Sequence, residues 1–214
     1  SNNDFSFTDV RSIHLKNELF NITGLKEKIF IKILKDDNDG VWLGSLQGAY
    51  KYHPSYAQIR FQPIYSSDDK SELATIWGLD KTTNGEIFFV SQRDGVGAIN
   101  TETSTIESLA IPSLPQNGLS YWYLVIDNEN NFWVATSSGL FAFEKTGNTL
   151  KVKSHLFEGH FVDVLYFSGD KIWAWISEQG LVSIDVNTVF TSQSDAIEVH
   201  NISTNSNSLV PIYT

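Results

Sequence analysis

The chain has neither cysteine nor methionine among its 214 residues. Without cysteine it has no disulfide, no thiolate metal ligand and no cysteine nucleophile. Without methionine its first residue is not a translation start, so we expect it to be part of a longer polypeptide. No run reaches the roughly 18 apolar residues of a membrane-spanning helix, so we expect this segment itself to make no membrane contact. Gly-rich phosphate loops and Gly-x-Ser-x-Gly nucleophile turns are also missing, which leaves two large enzyme classes unsupported.

Positive charge is scarce as well. The chain carries 15 Lys and Arg against 25 Asp and Glu, for a net charge of −10. Such a surface repels phosphate backbones, so nucleic acid is not an expected partner. A sustained 3.6-residue apolar period is missing too, and helix should therefore be rare. What the chain does have is aromatic residues, at 13% of the total, and these favour strands.

The chain repeats itself. Residues 39–52 match residues 130–143 position for position at an offset of 91, and further copies lie at 84–99 and 169–185. Each copy is anchored by one aromatic residue, and successive anchors are 46, 45 and 40 residues apart: Trp42, Phe88, Trp133 and Trp173. In the first and third copies an aspartate, Asp36 or Asp127, precedes the anchor by six residues. A period of this length is typical of repeat architectures such as propellers.

Each copy predicts four short strands joined by turns rich in Gly and Asn, which is the composition of a propeller blade. We therefore predict an all-β chain forming a β-propeller domain or fragment over 1–214. Its four full four-stranded blades fall at about 23–66, 67–112, 113–157 and 158–200, with partial blades at 1–22 and 201–214. A segment of a larger propeller is the favoured architecture, and a closed four-bladed ring is the alternative. An open arc would expose an apolar blade face, so we expect self-association, either as a dimer or by blade completion.

The motifs resemble one known repeat. Gly24-Leu25 followed by Asp36, Gly40 and Trp42 to Gly44, and Gly118-Leu119-Ser120 followed by Asp127, Trp133 and Gly139-Leu140, look like the two-component-regulator propeller repeat. The resemblance extends over about residues 24–190. It implies a sensor on the periplasmic or extracellular side of a bacterial inner membrane, without catalysis in the propeller itself. It also implies recognition of a small ligand, often a carbohydrate, and an output domain such as a histidine kinase or a diguanylate cyclase elsewhere in the receptor.

A candidate ligand site follows from where a propeller usually binds, namely the face formed by the loops between blades. Trp77 and Trp122 share one repeat position, eleven residues before their anchors, where the other copies have Ile31 and Val162. Two indoles at the mouth of the inner strands would stack on a sugar ring or another flat ligand. The alternative is that these indoles only pack between blades. The predicted ligand-binding residues are Trp77, Arg93, Gln116, Asn117, Tyr121, Trp122, His160 and Gln179.

Two other functions are weighed against sensing. A propeller lyase or hydrolase would use His160, Glu158 and Asp163 as a metal site or as an acid and base, although no second histidine is well placed for it. A protein-interaction platform is the third possibility. The segment from Asp36 to Gly40 resembles a calcium loop, but its twelfth position, counted from Asp37, is Gly48, so a hairpin turn is expected. We predict no cofactor, no resident metal and no catalytic residue.

Overall fold

The repeats fold as four antiparallel four-stranded sheets, arranged as the blades of a β-propeller. The computed structural model describes residues 29–53, 58–65, 72–100, 105–112, 114 and 118–200. The four antiparallel sheets confirm the predicted all-β propeller fold. The predicted partial blades at 1–22 and 201–214 lie outside the described residues. Within the described ranges, no helix is long and apolar enough to cross a membrane.

Strand order within each blade follows the chain, so every blade is a simple meander. Blade 1 contains β1 (Phe30–Lys35), β2 (Val41–Ser45), β3 (Gly48–His53) and β4 (Gln58–Gln62). Blade 2 contains β5 (Ile76–Lys81), β6 (Ile87–Ser91), β7 (Gly95–Asn100) and β8 (Thr105–Ser108). Blade 3 contains β9 (Tyr121–Ile126), β10 (Phe132–Thr136), β11 (Gly139–Thr146) and β12 (Thr149–Leu156). Blade 4 contains β13 (Val162–Ser168), β14 (Lys171–Ile176), β15 (Gly180–Asp185) and β16 (Ile197–His200), with a short helix α1 (Gln193–Ala196) before β16.

The first strands of neighbouring blades contact one another, so β1, β5, β9 and β13 line the centre of the assembly. Each blade thus has a leading face toward the blade before it and a trailing face toward the blade after it. Because side chains alternate along a strand, neighbouring residues go to opposite faces. In blade 3 Phe132 belongs to the leading face and packs with Phe88, whereas Trp133 belongs to the trailing face and packs with Ile172. Three hydrophobic clusters fill the three junctions between successive blades.

The anchor aromatics occupy the trailing faces. Trp42, Phe88 and Trp133 are 3%, 1% and 0% exposed, because each is covered by the next blade. Trp173 differs from the other three anchors. Its ring is only half-buried, and its described aromatic partner is His200, at a centroid distance of 5.0 Å within the same blade. Among the described residues, no fifth sheet packs on the trailing face of blade 4.

All four inner strands carry a register irregularity at the same place. The residues skipped in the pairing with the second strand are Ile31, Trp77, Trp122 and Asp163. The assignment of Val162 to this position from the sequence is wrong by one residue. The skipped residue precedes its anchor by eleven residues in blade 3 but by ten in blade 4, so counting back eleven residues from Trp173 overshoots by one. A bulge of this kind turns the skipped side chain away from the regular pleat.

Asp36 organises the first hairpin of blade 1. Its Oδ1 accepts the backbone N–H groups of Asn38 and Gly40, at 3.0 and 2.7 Å. Its Oδ2 accepts the indole N–H of Trp42, at 2.9 Å. Burial alone would raise the pKa of this carboxyl, but the hydrogen bonds from Trp42, Lys51 and Gly40 hold the pKa below its ordinary value. This arrangement is the turn predicted for the segment, with the carboxylate bonded to its own backbone.

A second aspartate joins two blades. Asp80, on β5, accepts the backbone N–H of Ile126 on β9 through Oδ2, at 2.7 Å, and the N–H of Lys81 through Oδ1, at 2.8 Å. Burial raises the pKa of Asp80 above its ordinary value, although these hydrogen bonds and the charges of Lys32 and Lys81 oppose the rise. The inner strands of blades 2 and 3 are thus linked by a carboxylate as well as by apolar packing.

Candidate functional site

The candidate site lies at the end of the propeller where two kinds of loop meet. Antiparallel strands reverse direction, so the connections between blades and the turns between second and third strands are at the same end. Hydrogen bonds tie these loops together across blades: Tyr121 N–H donates to the carbonyl of Gln92, at 3.1 Å, and the Thr75 hydroxyl donates to the carbonyl of Leu46, at 3.2 Å. These hydrogen bonds hold the beginning of each of these inner strands, which we call the mouth, to a turn of the preceding blade.

Three aromatic rings meet at this mouth. Trp77 and Trp122 pack edge to face, with centroids 5.2 Å apart and planes at 76°. Phe161, just before β13, packs on Trp122 in the same manner, at 5.6 Å and 71°. Edge-to-face contact is a favourable geometry for aromatic pairs, contributing about 1 kcal/mol beyond area burial. The structure thus brings together the two predicted indoles from blades 2 and 3, and adds a phenyl from blade 4 that sequence reasoning did not single out.

The indole nitrogens of this pair have no partner. Nε1 of Trp77 and Nε1 of Trp122 are both buried, and neither has a hydrogen-bond partner among the described residues. Native proteins pair nearly all buried donors, because an unmade hydrogen bond costs about 1–3 kcal/mol. By contrast, the indoles of Trp42 and Trp133 each donate to an aspartate at 2.9 Å. Two orphaned donors side by side therefore mark this mouth as different from the interblade core.

A carboxylate lies at the equivalent position of blade 4. Asp163 is exposed and occupies the same bulge as Trp77 and Trp122. Burial raises the pKa of the Tyr123 hydroxyl, and the negative charge of Asp163 raises it further. The phenol and the carboxylate are therefore close enough to influence each other. The mouth combines aromatic faces, orphaned indole donors and an exposed acceptor, which suits an uncharged ligand with several hydroxyl groups.

The other predicted site residues lie at varied depths. Tyr121 is buried in the cluster between blades 2 and 3, and burial raises the pKa of its hydroxyl. Arg93 is exposed in the turn between β6 and β7, and Gln179 is half-buried in the turn between β14 and β15. His160 is half-buried beside the mouth, with Nδ1 3.3 Å from the carbonyl oxygen of Glu158. Gln116 and Asn117 lie outside the described residues.

The residues of the enzyme alternative do not form a metal site. His160 contacts the backbone carbonyl of Glu158, and Asp163 is on the neighbouring strand. In the part of the chain that the structure describes, no three His, Asp or Glu side chains are grouped so that they could hold a metal ion. The Asp36 carboxylate, in the segment that resembles a calcium loop, accepts hydrogen bonds from backbone N–H groups and from an indole. Its oxygens are therefore already engaged by hydrogen-bond donors.

Comparison with solved structures finds the same fold in sensors. The extracellular domain of a putative one-component system from B. thetaiotaomicron matches with a TM-score of 0.60 and 19% identity, over 83% of this chain and 23% of that chain. A second structure of the same protein, described there as the extracellular domain of a putative hybrid two-component system, matches with a TM-score of 0.59 and 20% identity, over the same shares. These neighbours are of the class that the repeat motif resembles. The chain spans about a quarter of their length.

An enzyme shares the fold as well. The inactive H270A variant of virginiamycin B lyase from Staphylococcus aureus, solved with quinupristin, matches with a TM-score of 0.55 and 15% identity, over 70% of this chain and 49% of that chain. At such identities the likeness concerns the fold alone. No protein-family model matches the chain, and no curated protein matches it.

Proposed function

We propose that this chain is a ligand-recognition propeller of a bacterial signal-transduction receptor, acting without catalysis of its own. The observation that carries the proposal is the pair of buried, unpartnered indole N–H donors of Trp77 and Trp122 at the mouth of the inner strands. A protein that keeps two such donors gives up stability. A ligand that supplies acceptor oxygens to them would recover that loss, and the free energy recovered would appear as affinity.

The ligand class we propose is a carbohydrate. Sugars offer hydroxyl oxygens that accept from indole N–H groups and apolar ring faces that pack on indole carbons. The exposed carboxylate of Asp163 would accept hydrogen bonds from sugar hydroxyls, and Arg93 would donate one from the adjoining turn. Since the two nitrogens are covered by neighbouring side chains, binding requires at least one ring of the Trp77–Trp122 pair to rotate. The edge-to-face geometry of the free protein would then be lost.

The signal we propose is a change in the spacing of the inner strands. Trp77, Trp122 and Phe161 come from three successive blades, so a ligand that separates or reorients them acts on three sheets at once. A ligand shifts such an equilibrium only through its differential affinity for the two arrangements. The remainder of the receptor would read this shift. The proposed location, outside the cytoplasmic membrane, rests on the extracellular neighbours and on the resemblance of the repeat.

The test is a tryptophan-fluorescence and calorimetric titration of the chain against a panel of oligosaccharides. Trp77→Phe and Trp122→Phe keep an aromatic ring and remove the N–H donor. We expect each to weaken binding of the best ligand by about tenfold, the effect of losing one hydrogen bond of about 1.4 kcal/mol. The matched control is Trp175→Phe, which alters an exposed indole on blade 4 and should leave affinity unchanged.

Two results would overturn this proposal. One is a sugar-binding chain whose affinity is the same in Trp77→Phe, Trp122→Phe and the unaltered protein. The other is the absence of any shift in melting temperature across the panel, since a ligand that binds the native state must raise it. A divalent-metal arm in the same screen addresses the enzyme alternative, because a metal-dependent rise would favour His160, Glu158 and Asp163 instead.

A further inference from the structure

The trailing face of blade 4 is an exposed apolar surface. Tyr166 is 63% exposed, Trp175 45% and Val164 44%, and these side chains surround a shallow depression of about 420 Å³ that also contacts Trp173 and Leu181. On blades 1 to 3 the equivalent face is covered by the next blade. Contiguous apolar patches of this kind on a folded chain mark interaction surfaces. We call this surface the blade-4 face.

The three junctions inside the molecule show what such a face accepts. On blade 3, Trp133 and Ala135 pack on Val162, Leu165 and Ile172, which are apolar residues from the first two strands of the following blade. The junction between blades 2 and 3 is built in the same way. A trailing face therefore fits the leading face of another blade, and the blade-4 face presents Trp173 at the repeat position of Trp133.

Blade 1 has a leading face of this kind. Ile33, Val41 and Leu43 are half-buried, and the pairing of Ile33 with Leu43 places them on one side of the sheet. The three hydrophobic clusters of the described residues lie at the other junctions, and none joins blade 1 to blade 4. Within the described residues, the trailing face of blade 4 and the leading face of blade 1 are therefore not packed on another blade.

Charge supports the same match. At the junction of blades 1 and 2, Lys81 of β5 forms an ion pair with Asp37 in the hairpin of the preceding blade. Lys35 occupies the position of Lys81 in blade 1, because each is the last residue of its inner strand and pairs with the first residue of the next. Asp170 lies in the corresponding hairpin of blade 4 and is exposed. Lys35 pairs with Asp39 of its own hairpin, at 2.8 Å, and a leading face placed on the blade-4 face would bring Lys35 near Asp170 as well.

We propose that a second copy of this chain packs the leading face of its blade 1 on the blade-4 face. The contact is head to tail, so each copy contributes one different face to it. If each of two copies places its leading face on the trailing face of the other, the two contacts close a two-fold symmetric dimer. If the geometry does not close, repetition of the same contact builds an open chain of copies. The interface continues the packing that already joins the blades within one molecule.

The experiment measures the mass of the full 214-residue chain by analytical ultracentrifugation over a range of concentrations. We expect a dimer or larger head-to-tail assembly. Trp175→Asp spoils the trailing face and Leu43→Asp spoils the leading face, so each variant alone should dissociate at least tenfold more readily. The control is Val152→Asp, which places the same charge at an exposed apolar site on the outer strand of blade 3 and should keep the mass of the unaltered chain. Circular dichroism checks that each variant folds.

Mixing the two variants distinguishes the head-to-tail contact from a contact between two identical faces. The Trp175→Asp chain keeps a good leading face and the Leu43→Asp chain keeps a good trailing face, so an equimolar mixture should form a heterodimer with one sound contact. A charge-reversal experiment provides a second test that leaves the apolar residues of both faces unchanged. Lys35→Glu removes the ion pair with Asp39 and should weaken assembly by repulsion from Asp170 of the second copy, and the double variant Lys35→Glu/Asp170→Lys should restore assembly.

Three outcomes would overturn the proposal. The first is a chain that stays monomeric at every concentration, with the Trp173 and Trp175 fluorescence quenched poorly by added iodide, which would mean that another part of the same chain covers the face. The second is a Leu43→Asp variant that keeps its full mass, which would mean that two blade-4 faces meet each other. The third is failure of the mixture to associate when both variants are folded.

Discussion

The carboxylate of Asp127 accepts the indole N–H of Trp133 at 2.9 Å, and both side chains are almost completely buried. The same carboxylate accepts the backbone N–H groups of Glu129 and Asn131, at 3.0 and 2.8 Å. One side chain thus shapes the hairpin and fixes the anchor ring that fills the junction with blade 4. Asp36 does the same for Trp42, so the six-residue spacing from aspartate to tryptophan has a direct physical meaning.

Removing this carboxylate should destabilise blade 3. Asp127→Ala leaves a buried indole and two backbone N–H groups without their acceptor, so we expect the free energy of unfolding to fall by about 3 kcal/mol. Asp127→Asn keeps one acceptor oxygen and should cost less. Denaturant unfolding measures both. Glu129→Gln, an exposed change in the same turn, is the control and should stay within about 0.5 kcal/mol of the unaltered chain. An equal loss in Asp127→Ala and Glu129→Gln would show that the hydrogen bonds are not the cause.

The indoles of the mouth and of the core should respond differently to the same substitution. Trp133→Phe removes a paired donor and leaves Asp127 short of one partner, whereas Trp122→Phe removes a donor that has no partner. Without ligand, we therefore expect Trp122→Phe to be less destabilising than Trp133→Phe by about 2 kcal/mol. Thermal and denaturant unfolding of the two variants give the comparison. Equal losses would indicate that the Trp122 nitrogen is paired in solution.

Asp36 and Asp80 should give opposite pH dependences of stability. The pKa of Asp36 is below its ordinary value in the folded chain, so its contribution is present near neutral pH and is lost as the pH falls through that folded pKa. The pKa of Asp80 is above its ordinary value, chiefly because of burial. The folded state therefore takes up a proton at Asp80 more readily than the unfolded state, and stability is gained as the pH falls through the folded pKa.

Denaturant unfolding of the unaltered chain, Asp36→Asn and Asp80→Asn between about pH 7 and pH 2 measures these contributions. On acidification the advantage of the unaltered chain over Asp36→Asn should shrink. Relative to Asp80→Asn, the unaltered chain should gain stability over the same range. Parallel curves for all three proteins would contradict both assignments.

The sequence was sufficient for the repeat and the class of fold, because turns rich in Gly and Asn and recurring aromatic anchors are local signals. It misplaced the inner strand of blade 4 by one residue, since the skipped residue there precedes its anchor by ten residues and not by eleven, which leaves the apolar pattern unchanged. It therefore assigned Val162 to a position that Asp163 occupies. The repeat places each anchor on the trailing face of its blade, but it does not specify what covers that face at the end of the described stack, so the half-buried state of Trp173 does not follow from the repeat.

The candidate site was only partly predictable. Trp77 and Trp122 were found because they share a repeat position, but their contact with each other and with Phe161 depends on how three sheets converge. Asp80 had no signal of its own, because the amide it holds is 46 residues away on another blade. Polar contacts between blades depend on how the blades pack, so the sequence of a single repeat does not predict them.

The bond between Asp80 and the amide of Ile126 has a mechanical consequence. The inner strand of blade 3, β9, cannot shift along its axis without either breaking that bond or moving the inner strand of blade 2, β5, with it. Any displacement of β9 that keeps this bond therefore moves the inner strands of blades 2 and 3 together.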